Sequence, residues 1–566
     1  MIAFAQTCAA VSMSSSKIEK VRLVASYLMQ LSDADLDAAA RFFSGNPFPQ
    51  AQERALAAGG RTIVSAASEV WNIDRAALAA AYRATGDLGA ALGPFVQPAH
   101  DLGLFREELT PQLLYRLLGE IADASGKAAQ KRRRILCERI FSSCVDATEA
   151  TYVVKIMTGE LRVGLREGLI VDAIAQAFGA DPATVRRAAS AAGDLGAVAL
   201  AAKLGTLEGI AVAYHAPIAF MLASPIAFDS GYDELRKSTW LVEDKYDGIR
   251  AQAHVTPGRI SIFSRTLNNV AASFPEVVAA LGSIPGSCAL DGEIVAIRED
   301  HVLPFRFLQG RLQRKDVSEA LQRETPVRFI AFDILATEDD FLLDVPLAER
   351  RARLAERIVP DRSALAIAPW TTLEADAAAG AVRERFEDAR ARGHEGLVFK
   401  RMDTPYSPGR RGKAWLKLKR ELATLDCVVV AVERGHGRRA AVLSDYTFAV
   451  RNGSELSVLG KAYSGLTDAE IGEMTAWFDA HRPDAAEAER LYRNLALKRR
   501  EIVVEPQIVV EIAFDIIQRS DLHGSGFSLR FPRIVRLRPD KGPQDANSLA
   551  DVLAIYTSMI DREGLG

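Results

Sequence analysis

The stretch EDKYDGIR, residues 243–250, places two carboxylates and one amine at two-residue spacing. Successive side chains of an extended strand point to opposite faces, so Glu243, Lys245 and Asp247 are predicted to share one face. A solvated edge strand carrying a stripe of ion pairs would give the same spacing. Desolvated charges need partners or a ligand, so the rest of the chain decides between the two interpretations.

Three further strand-like stretches carry charges on one side of an apolar run. They are LDGEIVAI, with Asp291 and Glu293 on one face; HEGLVFK, with Glu395 beside Leu397 and opposite Lys400; and AWLKLKR, with Trp415, Lys417 and Lys419 together. Four such strands predict a cleft lined with lysine and carboxylate side chains. That composition suits a triphosphate and Mg²⁺, because ammonium groups neutralise phosphate oxygens and Mg²⁺ prefers oxygen ligands.

Neither common phosphate-binding loop is predicted to form this cleft. The chain has no GxxxxGK[ST] sequence, so side chains must hold the phosphates. GHGRRA at 435–440 matches GxGxxA, but AVLSDYTFAV after it has strand character where the dinucleotide fingerprint requires a helix. We therefore predict a β-turn at 435–440.

The hydrophobic periodicity divides the chain into three regions that must position these residues. Residues 1–210 are rich in Ala and Leu at helical spacing. Residues 211–420 alternate strands with shorter helices, and VRFIAFDIL at 327–335 is apolar enough for a central strand buried on both faces. Residues 421–566 contain short strands and one predicted helix, DAEIGEMTAWFDAH, which favours a small β-barrel of the OB type.

Two features of the first region concern helix ends. Asp181 directly before Pro182 is typical of a helix start. The string GDLGA occurs at 86–90 and again at 193–197, where Gly would end one helix and Asp would begin the next. The repeat indicates either two similar halves or a recurrent capping motif.

Charge and cysteine content narrow the class of protein. The net charge of −3 excludes a uniformly basic nucleic-acid coat but allows local basic clusters. Such clusters lie at 131–134, 400–420 and 530–541, one in each region, which predicts contact with a polyanion. Five separate cysteines without a CxxC pair argue against a structural zinc site and a disulfide framework. No signal peptide or membrane span is recognisable, so a cytoplasmic protein is expected.

Taken in order, these stretches resemble the ATP-dependent DNA ligase family of the nucleotidyltransferase superfamily. The similarity is to bacterial forms that share the three-domain plan of the eukaryotic replicative ligase. The motif-bearing stretches are EDKYDGIR (243–250), Ser264–Arg265, LDGE (290–293), FIAFDIL (329–335), EGLVFK (395–400), WLKLK (415–419) and SLRFPRIVRLRPDK (528–541). KIEKVRLVASYL and KIMTGELRVGLREGLIVDAIAQAF in the first region resemble the family's helical DNA-binding domain.

The resemblance implies an architecture and a reaction. An all-α DNA-binding domain would occupy residues 1–210, an α+β nucleotidyltransferase (adenylation) domain 211–420 and an OB-fold β-barrel 421–566. ATP and Mg²⁺ would be used to form a lysyl-AMP, whose AMP passes to the 5′-phosphate of nicked duplex DNA before the 3′-hydroxyl seals the nick. The barrel would rotate between these steps about a hinge near 419–426.

The resemblance also implies roles for individual residues, with Lys245 as the nucleophile. The implied nucleotide contacts are Glu243 to the adenine amine, Phe332 to the adenine ring, Arg250 to the ribose or nick phosphate, Arg265 to the 5′-phosphate end, and Lys417 and Lys419 to the α-phosphate. Glu293 would bind the ribose or a metal ion, and Glu395 a metal ion. Arg530, Arg533 and Lys541 would orient the leaving pyrophosphate. Arg411 is assigned a phosphate contact, although GRRGK leaves the choice between Arg410 and Arg411 open.

Three alternatives compete with this interpretation. NAD-dependent ligases carry a four-cysteine zinc site and an extra nicotinamide module, neither of which is recognisable, so ATP is favoured. RNA capping guanylyltransferases and RNA ligases share motifs but give no reason for the helical region. A non-catalytic nucleic-acid clamp would be expected to have lost some of the motif residues, yet all of them are present: Lys245, Glu293, Glu395, Lys417 and Lys419.

The biological setting is less constrained by the sequence. A role in DNA repair is expected because bacterial ATP-dependent ligases usually accompany an NAD-dependent replicative one, and replication stays open. No partner-binding tail is recognisable at either end, so a monomer that encircles its DNA is expected.

Overall fold

The structure is a computed structural model that describes residues 1–562 except 97–106, 299–300, 304, 313, 315, 339, 360–363, 376–378, 420–422, 436–438, 440, 496 and 498–500. The chain forms two compact units: residues 1–78 with the described part of 88–420, and residues 79–87 with the described part of 421–566. The predicted region boundary at 420, part of the predicted hinge and most of the predicted turn at 435–440 lie outside the described residues. None of the described helices has the length and apolar character needed to cross a bilayer.

The first region is helical, as predicted. In the described part of residues 1–210 every regular element is a helix: α1 Ile2–Met13, α2 Lys17–Leu28, α3 Asp33–Phe43, α4 Gly60–Trp71, α5 Arg75–Thr85, α6 Leu88–Leu92, α7 Pro111–Asp123, α8 Ala129–Ser143, α9 Ala147–Thr158, α10 Glu167–Phe178, α11 Pro182–Ala192 and α12 Leu195–Leu204, with short 3-10 turns. Asp181 begins α11 as predicted, and its carboxylate accepts a hydrogen bond from the Thr184 N–H. Gly86 and Gly193 of the repeated string both have positive φ, 60° and 58°, as helix-ending glycines do. The string is therefore a capping motif in both places, and the two-halves hypothesis stays a prediction.

The central region alternates strands and helices. Its elements are β1 Leu222–Ile226, α13 Phe228–Leu235, β2 Trp240–Lys245, β3 Ile249–Thr256, β4 Arg259–Ser264, α14 Pro275–Leu281, β5 Cys288–Arg298, β6 His301–Val302, α15 Arg306–Gln309, α16 Glu319–Glu324, β7 Val327–Thr337, α17 Leu347–Arg357, β8 Leu365–Ile367, β9 Trp370–Leu373, α18 Ala379–Ala391, β10 Gly396–Arg401 and β11 Arg411–Lys419. They form two mixed sheets. The first has the order β1-β11-β10-β2-β9, and the second has the order β4-β3-β5-β7-β8 with β6 paired to β5.

The strand β7 is central and buried on both faces, as its apolar sequence predicted. Phe329 and Ala331 pack into one apolar cluster, while Ile330 and Phe332 pack into another. The second cluster also contains Trp415 of β11, so it lies between the two sheets. The sheet faces that enclose this cluster are the ones that carry the charged motif residues.

The last region is strand-rich, with the elements β12 Ala423–Arg434, β13 Leu443–Asn452, β14 Glu455–Ala462, α19 Asp468–Ala480, α20 Ala485–Asn494, β15 Ile502–Val503, β16 Val509–Phe514, β17 Ile516–Arg519, β18 Phe527–Arg530, β19 Arg533–Leu537 and α21 Leu549–Arg562. Its main sheet has the antiparallel order β14-β13-β12-β16-β19, with β15 on β12 and a β17–β18 hairpin beside it. The predicted order of helical, α+β and strand-rich regions is confirmed. The prediction of a single helix here was wrong, because α20 and α21 also form and the apolar residues of α21 recur at helical spacing against the sheet.

Candidate active site

One face of the first sheet collects most of the charged residues singled out from the sequence. β2, β10 and β11 are adjacent and antiparallel, with Lys245 opposite Gly396 and Gly396 opposite Lys419. Side chains in one row across such a sheet point to the same face. The residues of this face are Glu243, Lys245, Lys400, Trp415, Lys417 and Lys419. The opposite face is apolar and packs with α18 in a separate core.

The predicted placement of Asp247 beside Glu243 and Lys245 is wrong. β2 ends at Lys245, so Asp247 lies in the turn that follows the strand. Its carboxylate accepts a hydrogen bond of 3.1 Å from the Phe305 N–H. Alternation predicts a shared face only as far as the strand continues.

The prediction that Glu395 shares a face with Leu397 is also wrong, whereas Lys400 lies opposite Leu397 as predicted. Glu395 precedes β10, and Lys400 lies on the face that carries Lys245. The cause is Gly396, whose φ of 151° interrupts the regular alternation of side chains. A Cβ at Gly396 would lie 2.2 Å from the Leu418 carbonyl oxygen, so only glycine fits there.

Lys245 and Glu395 form an ion pair at the centre of the site. The Lys245 ammonium contacts Glu395 Oε2, and the Glu395 N–H donates a 2.8 Å hydrogen bond to the Lys245 carbonyl oxygen. The two side chains are 22% and 34% exposed. An amine is therefore held by one carboxylate and stays accessible to a ligand.

Glu243 is buried on the same face between two cations. Its Oε2 lies 2.5 Å from Lys400 Nζ, and its Oε1 lies 3.2 Å from Arg351 Nη1. Both cations are buried as well. The carboxylate is thus fixed by charge from two directions.

Arg250 is held by the protein on all sides of its guanidinium. It donates to both carboxylate oxygens of Asp291 at 3.1 and 2.7 Å, and to the Met221 carbonyl oxygen at 2.6 Å. The Tyr406 hydroxyl donates to the same Asp291 carboxylate at 2.8 Å. The guanidinium also lies 5.6 Å from the ring centroid of Phe332. Its predicted contact with the ribose or nick phosphate stays a prediction.

Glu293 lies opposite Arg250 in the β3–β5 ladder. Burial raises the pKa of its carboxyl to about 8, while Lys245 and Arg250 act in the opposite direction and Glu395 and Asp291 raise it further. Because Lys245 and Glu395 both act on Glu293, the structure brings these three predicted residues into one electrostatic environment. A bound cation would favour the ionised carboxylate.

Four other cations surround Lys417 on this side of the sheet. Burial lowers the pKa of the Lys417 ammonium, and the charges of Lys245, Lys419, Arg411 and Arg265 lower it further. Lys417 and Lys419 are half-buried, whereas Arg265 and Arg411 are exposed. A concentration of positive charge is what an anionic ligand such as a triphosphate requires.

Arg410 and Arg411 point to different parts of the first unit. Arg411 begins β11 and acts on Lys417, whereas Arg410 lines a cavity of about 930 Å³ beside the helical region. Further cations that line this cavity are Lys17, Lys20, Arg41, Arg166 and Arg186. The choice between the two arginines thus favours Arg411 for the nucleotide site.

The carboxylates of the site fit a metal that keeps water and substrate ligands. Among the residues that the structure describes, no group of three or more His, Cys, Asp or Glu side chains could hold an ion by itself. Mg²⁺ is commonly held by one or two carboxylates together with substrate phosphates and waters. Glu293 and Glu395, which share one electrostatic environment, supply that donor set.

Three residues of this region were not identified from the sequence as site residues. Lys400 was placed on the correct face, opposite Leu397, but was given no role, and Arg351 and Tyr406 lie outside the motifs. Arg351 sits on α17, and its partners come from β2, β7 and the segment before β9. The spacing of charged residues along α17 therefore does not indicate its role. Only Lys400 gave a signal, as a lysine within an apolar strand.

Two basic residues of the last predicted cluster are paired with a local carboxylate of the second unit. Asp426 binds Arg538 Nη1 at 3.0 Å and Lys541 Nζ at 2.6 Å. Arg530 ends β18 and Arg533 begins β19. The predicted roles of Arg530, Arg533 and Lys541 in orienting pyrophosphate stay predictions.

The basic cluster at 131–134 is partly used inside the fold. Arg133 donates to the carbonyl oxygens of Ile121 and Ala124 at the end of α7, and Arg134 forms an ion pair with Glu138. Lys131 and Arg132 are exposed. The run of four cations therefore offers fewer to a polyanion than its sequence suggested.

Comparison with known proteins gives matches along nearly the whole chain. Family profiles match residues 1–175 (DNA ligase N terminus), 220–419 (ATP dependent DNA ligase domain) and 439–541 (ATP dependent DNA ligase C terminal region). A probable DNA ligase of Koribacter versatilis is 42% identical over 98% of this chain and 96% of its own length. A DNA ligase of Archaeoglobus fulgidus is 33% identical over 98% of both chains. A solved structure named Pmar-Lig_Pre shares the fold, at 16% identity over 95% of this chain and 99% of its own, with a TM-score of 0.54.

Proposed function

Because this chain belongs to the ATP-dependent DNA ligase family, we propose that it seals nicks between a 3′-hydroxyl and a 5′-phosphate in duplex DNA. The observation that carries the proposal is the Lys245–Glu395 pair, set on a sheet face beside Lys417 and Lys419. An accessible amine next to a carboxylate and further cations suits covalent nucleotidyl transfer.

The first step uses Lys245 as the nucleophile. The lone pair of Nζ attacks the α-phosphorus of ATP, an N–P bond forms, and the bond to pyrophosphate breaks with its electron pair leaving on pyrophosphate. The amine must lose a proton to react, and the adjacent acceptor is the Glu395 carboxylate. Glu395 therefore both orients the amine and receives its proton.

The surrounding cations supply most of the rate enhancement. Phosphoryl-type transfer depends mainly on positioning and on neutralising charge around the phosphorus. Lys417, Lys419 and Arg411 meet the phosphates from one strand, and Arg265 meets them from the end of β4. Phe332, whose ring is largely buried beside this face, stacks on the adenine.

Mg²⁺ fits at Glu293 and Glu395, as described above. When bound there it would neutralise phosphate oxygens and stabilise the leaving pyrophosphate. The raised pKa of Glu293 means that its carboxyl holds a proton near neutral pH until a cation is present. Metal binding is therefore accompanied by proton release.

In the second and third steps AMP passes from Lys245 to the DNA 5′-phosphate, and the 3′-hydroxyl then displaces it. Arg250 contacts the ribose or the nick phosphate, and Arg265 contacts the 5′-phosphate end. Residues 1–210 act as a DNA-binding region, and the cations of the 930 Å³ cavity in the first unit contact the phosphate backbone. These contacts are not specific for sequence.

The remaining residues and the biological setting complete the proposal. Residues 211–420 form the adenylation domain, and the OB-type region at 421–566 presents Arg530, Arg533 and Lys541 to the leaving pyrophosphate. The enzyme works as a monomer that encircles nicked duplex DNA in the cytoplasm, and its task is DNA repair.

The test is covalent labelling of the purified full chain. The protein is first treated with pyrophosphate to remove any bound AMP, then incubated with Mg²⁺ and α-labelled ATP or with labelled NAD, and run on a denaturing gel. We expect a labelled band from ATP alone, lost in Lys245→Ala and kept in Lys237→Ala, which changes an exposed lysine of the same region. The labelled enzyme then seals a nicked duplex with a 5′-phosphate.

Each way in which the proposed function could be wrong gives a different result in this experiment. A folded wild-type protein that takes no label from either nucleotide, yet binds duplex DNA, is a nucleic-acid clamp. Label from NAD alone would place the chain with the NAD-dependent enzymes. Label from ATP without sealing of DNA would direct the search to RNA ends.

A further inference from the structure

His394 is a buried histidine that the reaction scheme leaves without a role. It directly precedes Glu395, in the turn that connects α18 to β10, and only 6% of the residue is exposed. Its Nδ1 is buried and has no hydrogen-bond partner among the residues that the structure describes. An unpaired buried polar atom lowers stability, so the fold alone gives no reason for a histidine at this place.

The imidazole of His394 lies against both neighbours of Lys245 in the chain. Its Nε2 is 3.3 Å from Asp244 Oδ2, and its ring meets the Tyr246 ring edge to face, with 5.0 Å between the centroids. Asp244 is opposite Leu397 in the β2–β10 ladder, and Leu397 belongs to the apolar core on the other face of the sheet. The contact with Asp244 is therefore made on the face opposite the Lys245 amine.

The backbone of His394 is fixed by the helix before it. Its N–H donates to the Ala389 carbonyl oxygen at 3.0 Å, and its carbonyl oxygen accepts a 2.8 Å hydrogen bond from Arg390 Nη1. Both partners belong to the last turn of α18. The next N–H, that of Glu395, donates to the Lys245 carbonyl oxygen. The turn is thus bound to α18 at one residue and to the end of β2 at the next.

The carboxylate of Asp244 joins the same turn to β2 through side chains. Arg392 Nη2 donates to both of its oxygens, at 2.7 and 2.9 Å, and His394 contacts one of them. The side chains of Asp244 and His394 are 13% and 8% exposed, whereas that of Arg392 is 55% exposed. Solvent screens an exposed pair, so the buried Asp244–His394 contact constrains the position of the turn more strongly.

We propose that His394 and Asp244 form a positioning pair for self-adenylation. They set the Glu395 carboxylate against the Lys245 amine, because each of them lies directly before one member of that reactive pair. The inference rests on the proposed function, which assigns the nucleotidyl transfer to Lys245 and Glu395. His394 acts through Glu395 and not on the reacting atoms.

The position of the carboxylate matters because Glu395 receives the proton that the amine loses. A displacement of about 1 Å in such a contact can slow a reaction by about a hundredfold. Nucleotide binding depends on other groups, since Glu243, Lys417 and Lys419 lie on the charged face of the sheet. Loss of the His394 imidazole should therefore slow the chemical step and leave the affinity for ATP nearly unchanged.

The test is single-turnover self-adenylation of the full chain, stripped of AMP with pyrophosphate, over a series of ATP concentrations with Mg²⁺. In His394→Leu we expect the maximal rate constant to fall by about tenfold or more, with the half-saturating ATP concentration within about twofold of the wild-type value. The midpoint of chemical denaturation should not fall, because an unpaired buried nitrogen is removed and Asp244 keeps Arg392. His394→Gln restores a donor toward Asp244 and should recover most of the rate.

The matched control is His481→Leu, which replaces a histidine at the end of α19 in the second unit and should leave both kinetic values unchanged. Asp244→Asn covers the case in which His394→Leu does not fold, and the same fall in rate is expected from it. When both single variants fold, the double variant should be no slower than the slower of the two, because both act through one contact.

Four results would overturn the inference. They are a wild-type rate in either folded single variant, a loss confined to the affinity for ATP, no recovery in His394→Gln, and fully additive losses in the double variant. Absence of label in the wild type would refute the proposed function instead.

Discussion

One ion pair in the central region and one in the C-terminal region have the same chemistry at opposite degrees of burial. In the central region the side chains of Arg350 and Asp333 are both fully buried and form a two-bond pair at 2.8 Å. In the C-terminal region Arg536 pairs with Glu511 at 2.7 Å while 62% exposed. Buried pairs fix geometry before a ligand arrives, whereas an exposed cation can exchange its carboxylate for a phosphate at little cost.

The largest effect is expected from breaking a buried pair. Arg350→Met leaves the Asp333 carboxylate buried without its partner, and should lower the free energy of unfolding by about 3–5 kcal/mol. Chemical denaturation followed by fluorescence measures the change. Arg353→Met on the same helix breaks pairs to Asp340 and Glu349, which are at least half exposed, and should cost less than about 1 kcal/mol. Equal costs for the two variants would contradict the comparison.

A half-buried cation kept for the reaction should behave differently from a buried one kept for the fold. Lys417→Met removes a cation whose pKa is lowered by burial and by four neighbouring cations. Self-adenylation should slow by about a hundredfold, because charge stabilisation at the phosphates is lost. The variant should nevertheless be as stable as the wild type or more so, since a disfavoured charge is removed. Loss of both activity and stability would make Lys417 structural.

The raised pKa of Glu293 makes the free energy of unfolding depend on pH, with an effect of intermediate size. Its folded pKa of about 8 lies above the ordinary value of 4.5, so the folded state retains a proton that the unfolded state loses. Stability from this group is present below pH 4.5 and is lost as the pH rises to about 8. Glu293→Gln removes the effect and should gain about 2 kcal/mol over the wild type across this window, less than the full shift because the carboxyl is partly exposed. Parallel stability–pH curves for the two proteins would contradict the shift.

The smallest effect is expected at the exposed pair of the C-terminal region. Arg536→Gln should change the free energy of unfolding by less than about 1 kcal/mol. If the exposed arginine contacts DNA phosphate, the slope of log K against log salt for nicked duplex should fall by about one. Fluorescence anisotropy over a salt series measures it. A stability loss as large as that of Arg350→Met would contradict the distinction between the buried Arg350–Asp333 pair and the exposed Arg536–Glu511 pair.

Much of this organisation could be predicted from the sequence, because it rests on periodicity and on local rules. The face of β11 that carries Lys417 and Lys419, the doubly buried β7 and the Asp181 helix start all follow from side-chain spacing. The order of the three regions follows from the change of period along the chain.

The rest could not be predicted, because it depends on contacts between distant segments. Arg351 reaches Glu243 from a helix more than a hundred positions later in the chain, and no local pattern indicates that pairing. Asp247 and Glu395 were misplaced because strand alternation was extended past Lys245 and back through Gly396, where the backbone is not regular.

Gly396 has a consequence for attempts to alter this enzyme. It bears no charge and no reactive atom, yet its unusual backbone is what delivers the Glu395 carboxylate to the Lys245 amine. A mutational library that keeps only the reactive residues constant would vary position 396, and most of its members would be inactive because of the substitution there. Directed evolution of the enzyme should therefore keep Gly396 constant, as it keeps Lys245 constant.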